Sequence, residues 1–235
     1  MSDSPRNTEL PRSLKERNRA LLWTIIAVNA LFFYAVVRAN AIDLNNLSSI
    51  VSEAQHLLPV GLAVLVSTVL NGFLSADTKA RLVFLRWRCA LPGHQAFSRY
   101  ANSDPRIDPV VLRKTLGSAF PIDPIDQNRT WYRLYRTVEK EPAVDQVHRD
   151  FLLLRDYTGL SVLFVIFNGV VGLYAISSLK VWALYLLLLV LQYIVVRQAA
   201  SQYGVRMVTT VLARVGPKLT ATASPRRPKV PKAAK

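Results

Sequence analysis

Apolar residues gather into four runs, separated by stretches of very different polarity. The first, 20–38, reads ALLWTIIAVNALFFYAVV over 20–37 and meets no charge before Arg38. Eighteen residues of helix rise about 27 Å, enough to cross a hydrocarbon core when flanking side chains reach the interface. The second run occupies 57–76, with Pro59 near its first turn, where a missing N–H does no harm. The third is 159–177. The fourth, 181–196, is almost pure Leu, Val, Tyr and Ile. Only residues 178–180 separate these last two, so the pattern predicts an antiparallel helical hairpin with a short external turn.

The helical pattern does not stop where the apolar runs stop. After Ala76 it continues as DTKARLVFLRWRCALPG, with no breaker before Pro92 and Gly93. That predicts one helix over 57–90, about 50 Å long. From Pro142 no breaker precedes the third run, and after the fourth the pattern reaches Gly216 and Pro217, which read as a stop. Within the central insert, Asp108-Pro109 and Asp123-Pro124 each pair a natural N-cap with a residue suited to the first helical position. They predict two short helices, the first ended by Gly117. Strand-like alternation is absent. The expected fold is all-α: a four-helix transmembrane bundle, with long helices extending into the cytosol and a small helical cytosolic cap. Residues 77–158 form the stalk and cap, and 197–219 a helical extension.

Charge orients this bundle. The chain has 235 residues, 51% of them hydrophobic, and a net charge of +15. Basic and apolar residues are segregated. Of 30 lysines and arginines, five lie in 1–19, fourteen in 77–158 and nine from Arg197 onward. Only Arg38 and Lys180 fall on the other side. This positive-inside pattern places both termini and the insert in the cytosol of a bacterial-type inner membrane. Residues 1–19 are then a basic cytosolic segment, in which Ser13 and Glu16 have capping-box spacing. The loop 39–56 is external and lacks Lys and Arg, and 220–235 is a disordered basic tail. Ala39-Asn40-Ala41 resembles a signal-peptide cleavage site, but the apolar run is too long and Arg38 directly precedes it. Topology and anionic lipid headgroups account for the basic excess, which weighs against nucleic acid as a partner. Cys89 is the only cysteine, so no intramolecular disulfide forms.

Candidate chemistry is sparse. In the second cap helix Arg129, Arg133, Arg136 and Lys140 fall at i, i+4, i+7 and i+11, one cationic stripe. Such a stripe suits a nucleotide-type ligand or the acidic surface of a cytosolic protein. Each membrane span holds one carboxamide: Asn29, Asn71, Asn168 and Gln192. In lipid these amides must bond a neighbouring helix or line a wet path. Gly172 shares a face with Asn168 and allows close helix contact, and Asn29 is at similar depth to Asn168. No span carries an internal charge, which counts against a proton-coupled pump. His148-Arg149-Asp150 copies the start of a kinase catalytic loop, but Arg155 stands where that loop needs Asn. Arg88 and His94 have the spacing of a HEPN ribonuclease element, but Leu91-Pro92-Gly93 interrupts the helix it needs. The three histidines lie in separate segments, and no spacing suggests a metal. The expectation is therefore a protein that is not an enzyme and takes no cofactor and no metal.

Along residues 20–216 this topology resembles the small four-pass bacterial membrane effectors of anti-phage systems. It is also similar to four-pass large-pore channels with a cytosolic loop between the second and third spans. The resemblance is one of topology and carries over no individual residues. It implies a homo-oligomeric pore or membrane-disrupting effector controlled by its cytosolic cap. The alternative is a membrane anchor or scaffold that recruits a cytosolic partner through the cap and the basic tail.

Overall fold

The computed structural model describes residues 14–38 and 54–223. The loop around Asn46 expected to be external, the Ser13 capping box and most of the C-terminal tail lie outside them. Among the described residues the chain is all-helical, without strands. A four-residue turn, α1 (Leu14–Arg17), leads into α2 (Arg19–Arg38). Then come α3 (Ala54–Phe73), α4 (Ala76–Phe84), α5 (Pro109–Leu116), α6 (Pro124–Val138), α7 (Pro142–Ala175) and α8 (Leu179–Ala223). Three of these helices, α2, α7 and the Leu179–Lys218 part of α8, are long and apolar enough to cross a membrane.

The chain divides into two compact units. The apolar unit comprises Met1–Arg86 and His148–Tyr203; the cap unit comprises Trp87–Val147 and Gly204–Lys235. Helices α7 and α8 contribute residues to both.

Two boundaries differ from the sequence expectation. The helix predicted over 57–90 is broken. Ser75 accepts a hydrogen bond from the Thr78 amide at 3.0 Å and starts a new helix, with Asp77 in its first turn. That is ordinary N-cap chemistry, and an Asp77–Arg81 pair one turn apart at 2.5 Å extends it. This helix ends at Leu85, which is left-handed with φ 51°, well before Pro92. The second difference lies at Gly216 and Pro217, where the expected stop does not occur. Helix α8 continues through Pro217 to Ala223. Proline removes one backbone bond there. Glu141 lies beside this stretch, 3.8 Å from Arg214 and 2.5 Å from Lys218, on the two sides of the proline.

The other boundaries follow local chemistry. Asp108 accepts from the amides of Val110 and Val111 at 2.9 and 3.0 Å, and Asp123 from Ile125 at 2.8 Å. Gly117, with φ 53°, closes α5. Helix α7 starts at Pro142 and runs 34 residues, about 51 Å.

In the apolar unit the core is built from Ile26, Phe33, Leu160, Phe164, Tyr185 and Leu189. Phe33 stacks on Tyr185 with ring centroids 5.4 Å apart. Large apolar residues such as Leu62, Val69, Val170, Leu187 and Val195 point outward, as lipid-facing side chains would. In the cap unit, Gln127 organises the turn ahead of α5. Its Oε1 accepts from the amides of Phe97 and Ser98 and from the Ser98 hydroxyl, each at 3.1 Å. Its Nε2 donates to the Ile122 carbonyl at 2.9 Å.

Candidate functional site

The span amides all turn inward. Asn29 is buried and donates from Nδ2 to the Ile25 carbonyl one turn back, at 2.9 Å. Asn168 is fully buried and donates to the Tyr185 hydroxyl at 3.3 Å. Gln192 donates to the Tyr157 hydroxyl at 2.8 Å. Asn29 and Asn168 therefore do not bond each other. Hairpin register explains this: Trp182 Nε1 reaches the Gly169 carbonyl at 2.9 Å, which sets Tyr185 opposite Asn168. Gly172 lies in a packed contact, since a Cβ there would stand 3.3 Å from both Ile176 and Trp182 and 3.6 Å from Phe33.

Three buried oxygens stand out in this interior. Ser67 Oγ, Asn71 Oδ1 and Asn168 Oδ1 have no hydrogen-bond partner among the described residues. Ser67 and Asn71 are one turn apart on α3, on the same face. Asn71 Oδ1 approaches Gly159 so closely that a Cβ there would lie 2.7 Å from it and 3.7 Å from Lys79 Cε. The polar track thus runs from Ser67 through Asn71 to Lys79.

At Lys79 the track meets a charge cluster that the sequence pattern does not reveal. Lys79 Nζ lies 3.0 Å from Asp156 Oδ1, with both side chains 6% exposed. Arg155 Nη2 reaches the same oxygen at 3.2 Å. Two further side chains close the end of α4. Tyr193 donates its hydroxyl to the Leu82 carbonyl at 3.1 Å, and Arg197 Nη1 donates to the Val83 carbonyl at 3.3 Å. These are carbonyls that a helix end leaves without an internal partner.

The cationic stripe of α6 is partly neutralised. Arg129 pairs with Asp126 at 3.4 Å, Arg136 with Glu139 at 3.2 Å, and Arg133 donates to the Thr130 hydroxyl at 3.1 Å. Arg129 and Arg133 line an open groove of about 960 Å³ together with Asp123 and Asp126. Arg136 and Lys140 line a different hollow beside Glu139 and Glu141. The four cations thus divide between two surfaces, each containing carboxylates.

Asp108 and Asp123 cap helices, and Asp104 binds Arg106. His94 Nδ1 lies 3.0 Å from the Leu91 carbonyl. Among the described residues no cluster of His, Cys, Asp and Glu has the geometry to hold a metal. Sequence reasoning missed Tyr157 and Tyr185 as amide partners. Their signal was present, since a tyrosine inside an apolar run needs a partner for its hydroxyl. Compared with family models, curated proteins and solved structures, the chain matches none of them.

Proposed function

We propose that this chain is a four-span protein of the bacterial inner membrane that forms an oligomeric pore or membrane-disrupting effector. Its cytosolic cap controls it, in a role of the anti-phage type, and it performs no catalysis. The supporting observation is three buried oxygens, at Ser67, Asn71 and Asn168, that have no hydrogen-bond partner among the described residues of otherwise apolar helices. A buried acceptor without a donor costs about 1–3 kcal/mol. A bundle built only to hold a cap in place has no use for three of them. An interior that admits water or a cation does, because such acceptors replace part of a hydration shell. Helices α7 and α8, unbroken from spans to cap unit, supply a covalent route for control.

The test is permeation in liposomes. Asn71→Leu and Asn168→Leu should each suppress dye or ion release while the purified protein keeps its helical content. Undiminished release from both variants would remove the track from any conducting path. A second reading, the membrane anchor or scaffold, is favoured by the large apolar side chains that face outward along the spans. A monomeric mass in detergent with no conductance would decide for it.

Topology has its own check. With Cys89 replaced, a cysteine at Asn46 should react with an impermeant reagent from outside. Cysteines at Asn102 and Ala223 should react only after permeabilisation. External labelling at Asn102 would overturn the orientation.

A further inference from the structure

We infer that the cap unit holds a binding site for a multiply charged phosphate ligand, in the pocket lined by Arg106, Arg206 and Arg214. The pocket encloses about 570 Å³, within the size range of small-ligand sites. Three guanidinium groups line it, and no carboxylate does. That separates it from the α6 groove, where two arginines share the lining with two aspartates.

The fold assembles this pocket from distant stretches. Arg206, Thr210, Ala213 and Arg214 lie at i, i+4, i+7 and i+8 on α8, so one helix face presents them together. Gln146 comes from the second turn of α7 and Arg106 from the turn before α5. Arg106 is braced by Asp104: its Nε and Nη2 donate to the two carboxylate oxygens at 3.0 and 2.7 Å. Those bonds hold the Asp104 carboxyl well below the usual carboxylate range and fix the plane of the guanidinium. They use two of its five N–H donors. Arg214 lies 3.8 Å from Glu141, within ion-pair reach but too long for a hydrogen bond, so its donors are not spent there. The guanidinium-bearing side chains of Arg106 and Arg214 are 57% and 55% exposed, open to an incoming ligand.

Asp104 and Glu141 stand behind two of these guanidinium groups, while the face toward the cavity offers a multiply negative ligand three cationic donors. Arginine forks match phosphate oxygens in bidentate geometry. The remaining walls, Ala143, Val147 and Ala213, are small and offer no aromatic surface for a base. The site is therefore built to read phosphate groups rather than a nucleobase. Either a soluble polyphosphate-bearing molecule or a phosphomonoester lipid headgroup supplies that chemistry. This inference deepens the reading of the cap as a receiver and rests on it for biological purpose, but binding is measured separately from permeation.

The experiment uses the full chain in nanodiscs of phosphatidylcholine, titrated calorimetrically with sodium triphosphate. A parallel arm measures recruitment of vesicles containing phosphatidic acid. Triphosphate should bind, and Arg214→Gln and Arg206→Gln should each weaken it by about tenfold or more, as loss of a charge-assisted bond does. Arg214→Lys should fall between, keeping charge without the fork. Arg129→Gln with Arg133→Gln in the other groove should change nothing. Binding confined to phosphatidic acid, and lost in the same variants, would support the site with a lipid as its source. Absence of both, or equal binding by Arg214→Gln and the parent chain with unchanged melting, would overturn it.

Discussion

Replacing Asp156 with alanine is expected to destabilise the apolar unit by about 3–5 kcal/mol, as removal of one partner from a buried ion pair does. Asp156 and Lys79 are each 6% exposed at the side chain, so neither charge has water to fall back on. Arg155 shares the same carboxylate oxygen, which makes the loss asymmetric. Without Asp156, Lys79 and Arg155 both lose the oxygen they share; without Lys79, Asp156 keeps Arg155. Lys79→Met should therefore cost less than Asp156→Ala. The double variant Lys79→Met with Asp156→Leu should recover most of the loss, because an apolar pair of similar volume often matches a buried ion pair. Unfolding in mixed micelles, run as a double-mutant cycle, measures all three. Single losses below about 1 kcal/mol would mean the pair behaves like a surface salt bridge.

Gln127→Leu should destabilise the cap unit by about 3 kcal/mol or more, since each buried polar group left unbonded costs about 1–3 kcal/mol. Gln127 is 2% exposed and makes four bonds. Leucine fits the volume but strands the Phe97 and Ser98 amides and the Ile122 carbonyl together. Gln127→Glu keeps an acceptor for the two amides and loses only the donation to Ile122, so it should be milder. Amide hydrogen exchange is the direct readout, with protection at Phe97 and Ser98 falling in the leucine variant. Unchanged protection there would show that the turn holds itself without Gln127.

These two sites also mark where sequence reading ends. The Asp108 and Asp123 caps were legible because N-cap chemistry is local: donor and acceptor lie two or three residues apart. The helix from Pro142 was legible because nothing after that proline interrupts it. The break at Ser75 was not, although Ser75 and Asp77 are ordinary helix-start residues. The apolar and helical pattern on both sides outweighed them. Pro217 misled in the opposite direction: the helix runs on through it, beside a bond between Lys218 and Glu141, 77 residues apart in the chain. Lys79 and Asp156 are also 77 residues apart, and no local rule joins two charges that merely flank apolar runs. The amides were legible as residues in need of partners. The partners were not, because hairpin register chose Tyr185 for Asn168.

That hairpin has a consequence for how the protein is made. Helices α7 and α8 are joined by three residues, 176–178, too few to leave one helix in lipid while the other waits in water. In the membrane setting proposed above they would leave the insertion machinery as one piece. The bonds Asn168–Tyr185, Trp182–Gly169 and Gln192–Tyr157 all lie within this piece. The donors of Asn168, Trp182 and Gln192 therefore find their acceptors within the hairpin itself. The hairpin needs neither α2 nor α3 as a chaperone for its amides, and a chain cut ahead of Pro142 should still insert it.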